Sequence, residues 1–156
     1  MTNPEERIRE LGLELPLPSP SIGSYLKVVR SGNVLHLSGH GPVKDGVVQY
    51  KGKVGQDMSL DEGYAAARLS CLNCLGTIRG ELGTLDGVTR VVKVLGFVNS
   101  APGFTDQAKV LNGASDLLVA VFGDRGRHAR SAIGAAELPV NVAVSIEMIV
   151  EFATEL

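Results

Sequence analysis

The run Gly126-Arg127-His128-Ala129-Arg130-Ser131-Ala132, followed by Leu138-Pro139 and an alternating strand, places Arg130 on an extended segment of a β-rich region. A guanidinium there is either paired with an acid or open to an anion. Its planar fork of five donors matches a carboxylate in bidentate fashion, so the anion it selects is a small organic acid or a phosphate. His128 has the parity of Arg130 on the same segment, which would let it line a pocket there, although a solvent-facing place is the simpler expectation; Arg127 reads as a rim charge. His36, Ser38 and His40 share one parity, which would let all three point into one cleft. Such a face is more simply a wet one than a metal site. Glu147 lies two residues from Ser145 and shares its face, so a carboxylate and a hydroxyl stand together there.

The remaining chemistry-bearing pair is Cys71-x-x-Cys74. A zinc site of the common kind needs four ligands, and His36, His40 and His128 supply no matching second pair. A redox pair sits at a helix start, where the dipole lowers a thiol pKa. These cysteines fall mid-helix among Leu69, Leu72 and Leu75, so packing in the core is the expected role.

Elements must position these groups. Residues 4–12 suit a short helix with Pro4 in its first turn and Gly12 at its end. Pro16, Pro18 and Pro20 then make an extended stretch over the surface. Two strands, 25–30 and 33–39, are joined at Ser31-Gly32, and 47–50 reads as a short edge strand after the Asp45-Gly46 turn. Ser59 and Glu62 form a capping box for a helix with Tyr64, Cys71, Leu75, Ile78 and Leu82 along one stripe and Gly83 at its close. A β-branched strand, 91–99, reads as buried on both faces for much of its length. A second helix, 106–122, buries Leu111, Ala114, Leu118 and Val121 and stops at Gly123. Strands 129–135 and 142–151 follow. In the last, Val142, Val144, Ile146, Met148 and Val150 form a wholly apolar face. The order ββ(β)αβαββ specifies one α+β domain over 1–156, with 1–21 as an N-terminal extension. Two long helices cover one face of such a sheet, and burial of the other by oligomerisation is the simplest expectation.

A net charge of −2 and an isoelectric point near 5.9 give no electrostatic attraction to nucleic acid or anionic lipid. No apolar run approaches the roughly 20 residues that span a bilayer, and the first residues lack a signal-peptide pattern. A cytoplasmic protein with no nucleic-acid or membrane partner is therefore expected.

The Gly-Arg-His-Ala-Arg-Ser-Ala run with its Leu-Pro, Ser38-Gly39 after the second strand, and Val110-Leu-Asn-Gly in the second helix resemble the Rid (YjgF-type) imine/enamine deaminase family. The resemblance spans about residues 22–151, and the N-terminal extension and the 112–118 segment look like a subgroup of larger members. It implies a chorismate-mutase-like fold, a mixed sheet with two long helices on one face, and a homotrimer around a central β-barrel with clefts between subunits. It implies hydrolysis of 2-imino or enamino acids to 2-keto acids and ammonia, with no metal or organic cofactor. On this resemblance Arg130 holds the substrate carboxylate, and Tyr25, Ser38, Asn112 and Ala132 line the cleft. Ala132 replaces a cysteine of other members. Ser145 stands where they carry a glutamate that positions the attacking water, with Glu147 as a candidate replacement. The rival expectation is a trimeric binding or sensing protein for small keto or amino acids that keeps the arginine clamp without the chemistry. Ribonuclease activity, attached to some members, fits poorly with the acidic isoelectric point.

Overall fold

A computed structural model describes residues 3–155. The chain begins with helix α1 (Pro4–Glu10), closed at its start by a reciprocal capping box: the Asn3 side chain accepts from Glu6 N, and Glu6 accepts from Asn3 N. Strands β1 (Val28–Ser31) and β2 (Val34–Leu37) form a hairpin, and β3 (Val43–Lys44) with β4 (Val47–Val48) forms a separate two-stranded ribbon. Then come α2 (Leu60–Leu82), β5 (Val88–Asn99), α3 (Gln107–Phe122), β6 (Ala129–Ala135) and β7 (Val144–Phe152). The main sheet has the order β1-β2-β7-β5-β6. Only β5–β6 is parallel, so the sheet is mixed, with β1 and β6 at its edges.

The two long helices pack on one face of this sheet, as the periodicity specified. Val91, Val94 and Val98 of β5 and Val144, Ile146, Met148 and Val150 of β7 are buried with Leu75 and Ile78 of α2 and Leu111 and Leu118 of α3. Both cysteines belong to this core. Their thiols point to the Ala114 and Ile146 carbonyls at 3.8 and 3.7 Å, and burial pushes the Cys71 thiol up to about 12. A thiol so rarely ionised is a poor nucleophile, and its packing role follows. The helices cross closely because α3 carries Gly113: a Cβ there would stand 2.1 Å from the Tyr64 carbonyl oxygen of α2.

Several expectations are corrected. The first strand starts at Val28, leaving Tyr25 in the bend before it, 46% exposed. Ser31 pairs with Val34, so the turn is Gly32-Asn33, with Gly32 supplying φ +60°. The Tyr64 side chain is only half-buried, because its hydroxyl donates to Asp116 on α3. Within one chain strand β5 is not buried on both faces: Val92 is 42% exposed, and Leu95 and Phe97 are half-exposed. β-Branching reports sheet preference and not how many layers cover the sheet.

The register identifies what that open face carries. Residues directly opposite on neighbouring strands share a face. The opposed pairs Val29–His36, His36–Ile149, Leu95–Glu147 and Phe97–Ser145 all lie away from the helices, and Ile133 opposite Phe97 joins them, 46% exposed. The N-terminal extension lies on the other side, along α2. Glu5 accepts from Arg79 and from Leu85 N, and Pro16 and Pro18 press against Gly76 and Gly80, where a Cβ would meet them at 2.2 and 2.6 Å. Among the described residues no helix is long and apolar enough to cross a membrane.

Gly113→Ala tests the helix crossing. A glycine-to-alanine change in a helix interior normally stabilises by roughly 1 kcal/mol. Here the methyl meets backbone, and we expect a net loss of about 1–3 kcal/mol in urea denaturation. A gain in stability would show that the helices do not meet as described.

Candidate functional site

Helix α3 and strand β6 meet at one edge of the sheet, with the short 3₁₀ turn Gly123–Gly126 between them. Gly123 ends the helix at φ +62°, and the chain reverses so that the start of β6 runs beside α3. Arg130 is the second residue of β6. It is opposite Val94, which in turn is opposite Met148, and both of these are buried under the helices. The Arg130 side chain therefore leaves the sheet on the helix side.

There it meets neutral oxygens. Arg130 Nη1 donates to Asn112 Oδ1 at 2.9 Å and to Ser115 Oγ at 3.1 Å. Asn112 and Ser115 are three apart on α3 and so lie on one helical face. Both hydrogens of Nη1 are used. Among the described residues no hydrogen bond or ion pair engages Nε or Nη2, and no acidic side chain lies within salt-bridge distance. Those two nitrogens form one edge of the guanidinium, the pair of parallel donors that takes a carboxylate side-on. The arginine is thus anchored but not neutralised.

His128 is drawn into the same cluster and does not face solvent. It is half-buried, with Nε2 2.9 Å from Ser115 Oγ and Nδ1 2.7 Å from the Gly126 carbonyl oxygen. Burial, opposed by the Gly126 bond and reinforced by the Arg130 charge, holds this imidazole below its ordinary value and so favours the neutral ring. Ser115 is the member that sequence reasoning passed over. Its only sign was its place three residues after Asn112. Arg127 is a rim charge, exposed and 3.7 Å from Asp124.

A second group of candidates lies across the sheet. Ser145 and Glu147 are on the open face, opposite Phe97 and Leu95. Ser145 adjoins Gly39, where a Cβ would come within 2.8 Å of its Oγ, so a larger residue there would displace that hydroxyl. Glu147 borders a hollow of about 380 Å³ shared with His36, Lys93 and Leu95. Ser38 donates to the Leu26 carbonyl at 2.6 Å, which ties the segment carrying Tyr25 to the end of β2. His36, Ser38 and His40 share neither a cleft nor a single wet face. The β2 ladder ends after Leu37, and His40 turns inward, 5% exposed, between the Ser38 carbonyl at 2.6 Å and Thr77 Oγ1 at 2.8 Å. His40 borders a cavity of about 720 Å³ under the N-terminal extension, remote in the fold from Arg130. Ala132 is opposite Gly96 on the helix side, beside Arg130 along β6.

The sequence positions thus resolve into two half-sites. Arg130, Asn112 and Ala132, with Ser115 and His128 added, share the helix side at the β6 edge. Ser145, Glu147, Gly39 and Ser38 gather on or beside the open face. Within one chain the sheet lies between them.

Comparison with known proteins adds the following. The family profile described as "YjgF/chorismate mutase-like, putative endoribonuclease" matches residues 5–153. Protein TCP17 of Trypanosoma cruzi is 44% identical over 145 residues, 92% of this chain and 91% of the relative. The crystal structure of Atu1372 from Agrobacterium tumefaciens, a protein of unknown function, superposes with a TM-score of 0.90 at 41% identity, covering 96% of this chain and 92% of that one. A Shewanella oneidensis protein described as a "putative endoribonuclease" superposes with a TM-score of 0.94 at 33% identity, covering 97% and 100%.

Both internal imidazoles give a pH test. His40, chiefly by burial, and His128 are held below 6.5 in the folded chain. The unfolded chain takes up these protons near 6.5, whereas the folded one resists until lower pH. Their contribution is therefore intact above about 6.5 and is lost as pH falls toward the lowered values. In urea denaturation at about pH 7.5 and about pH 5.5, His40→Gln is expected to lose less stability on acidification than the unaltered protein. Equal losses would contradict a neutral buried His40.

Proposed function

The chain belongs to the YjgF/chorismate mutase-like family, and on that footing we propose that it hydrolyses small 2-imino acids to 2-keto acids and ammonia. The observation that carries this reading is Arg130, whose Nε and Nη2 meet no acid among the described residues while Nη1 is fixed on Asn112 and Ser115. A group so placed orients a substrate by its carboxylate. Holding that anion on a cation also draws electron density from the adjacent C=N carbon. Water adds to this carbon, and the carbinolamine collapses with the C–N electron pair leaving on ammonia.

The water side of the reaction falls to the open-face group. Ser145 can align a water by hydrogen bonding but cannot remove its proton near neutrality. Glu147, two residues along the same face, is a carboxylate able to do so. Because the sheet separates both from Arg130 in one chain, a complete site requires two protomers, with the open face of one brought to the β6 edge of another. The apolar Val29, Leu95, Phe97, Ile133 and Ile149 on that face support a trimer closed through it. Loss of a general base costs about 10²–10⁴-fold. Imine hydrolysis is quick without a catalyst, so modest acceleration suffices and a general base is not obligatory.

Some relatives are described as endoribonucleases. With a net charge of −2, this chain gains no long-range attraction to a phosphate backbone.

The test generates 2-iminobutanoate in situ and follows its disappearance. Added protein is expected to speed the loss. Arg130→Ala is expected to lower kcat/KM by about 10²-fold, the loss of a charge-assisted bidentate pair. Full activity in Arg130→Ala would remove the mechanism. Binding of 2-oxobutanoate without turnover would replace the deaminase by a binding protein that uses the same clamp.

A further inference from the structure

Three hydrogen bonds run in series from the backbone to Arg130. A carbonyl oxygen only accepts, so Gly126 O requires the proton of His128 on Nδ1, 2.7 Å away. The neutral ring then presents a lone pair at Nε2. The single hydroxyl proton of Ser115 goes to it across 2.9 Å. This turns the lone pairs of Ser115 Oγ toward Arg130 Nη1 at 3.1 Å, and a guanidinium only donates. Each link fixes the direction of the next.

We propose that His128 is a positioning residue: by orienting the Ser115 hydroxyl, it fixes the rotation of the Arg130 guanidinium and so presents Nε and Nη2 as one edge to a carboxylate. This deepens the proposed function and rests on it. Two acceptors set the guanidinium plane, Asn112 and Ser115, one helical turn apart. Asn112 is exposed at the surface, whereas Ser115 and His128 are half-buried. Without the imidazole lone pair, the Ser115 hydroxyl is free to turn its proton toward Nη1, where donor meets donor. The guanidinium then hangs on Asn112 alone and loses its fixed plane. Preorganisation of this kind acts on affinity for the carboxylate.

The probe is 2-oxobutanoate, with its Kd measured by titration for the unaltered protein and for variants whose folding is checked by circular dichroism. His128→Phe removes the acceptor and is expected to raise Kd about tenfold. In His128→Gln the amide oxygen can accept from Ser115 at the place of Nε2, and most of the affinity is expected to return. Ser115→Ala should match His128→Phe, and the double variant should be no worse than either single one, since both break the same chain. A residue that merely packs would give additive losses and no rescue by Gln. The imidazole ¹⁵N shifts should report the Nδ1-protonated tautomer. If His128→Phe does not fold, Ser115→Ala, His128→Gln and the tautomer decide the matter.

An unchanged Kd in His128→Phe or Ser115→Ala, or an Nε2-protonated ring, would overturn the relay. If Arg130→Ala meanwhile abolishes binding, the carboxylate reading stands without it. An Arg130→Ala variant that binds like the unaltered protein, or an unaltered protein that binds no 2-oxobutanoate, overturns both.

Discussion

A guanidinium held by neutral oxygens keeps its full charge, and the arrangement of this fold around Arg130 follows from that. An arginine paired with Asp or Glu has its donors and its charge consumed together. Here α3 supplies an amide and a hydroxyl. These satisfy Nη1 and fix the side chain but leave the positive charge uncompensated by any described acid. The half-exposed location keeps the desolvation cost modest while leaving the free edge reachable. Gly123 and the 3₁₀ turn serve this end, because they return the chain so that the start of β6 lies against the polar row of α3.

The sheet then divides the chemistry. Arg130, the proposed anion holder, projects on the helix side at one edge, and Ser145 and Glu147, the proposed water-handling groups, project from the open face. One sheet face carries apolar side chains, and the two candidate groups stand on opposite sides of the sheet. The proposed trimer, closed through that face, would bury the one and join the other. The two serines illustrate how differently one residue type is used. Ser115 is a link in a hydrogen-bonded chain, while Ser145 stands against a glycine that leaves it room.

Much of the architecture was legible from local pattern. The helix caps at Ser59, Gly83 and Gly123, the apolar stripe of α3 and the alternation of β7 all encode burial directly, and the elements follow them. Arg130 and Asn112 were legible as candidates, but their direct bond was not, since it depends on how α3 lies over β6. His128 was misread for the same reason. Strand parity says which side a residue takes and not whether a helix waits there. His40 escaped its parity because pairing with β7 slips by one residue between His36–Ile149 and His40–Ile146, and Gly39 alone marks the place in the sequence. Nor did the sequence reveal that the sheet parts Arg130 from Ser145 and Glu147. That follows from the β6–β5–β7 register, which long-range pairing sets.

The most direct measurement is a crystal structure grown with 2-oxobutanoate. The account predicts its carboxylate side-on to Arg130, both oxygens about 2.7–2.9 Å from Nε and Nη2, at a junction between two copies where the partner's open face closes the cleft. A ligand bound elsewhere, or Arg130 found in an ion pair with a protein carboxylate, would contradict it.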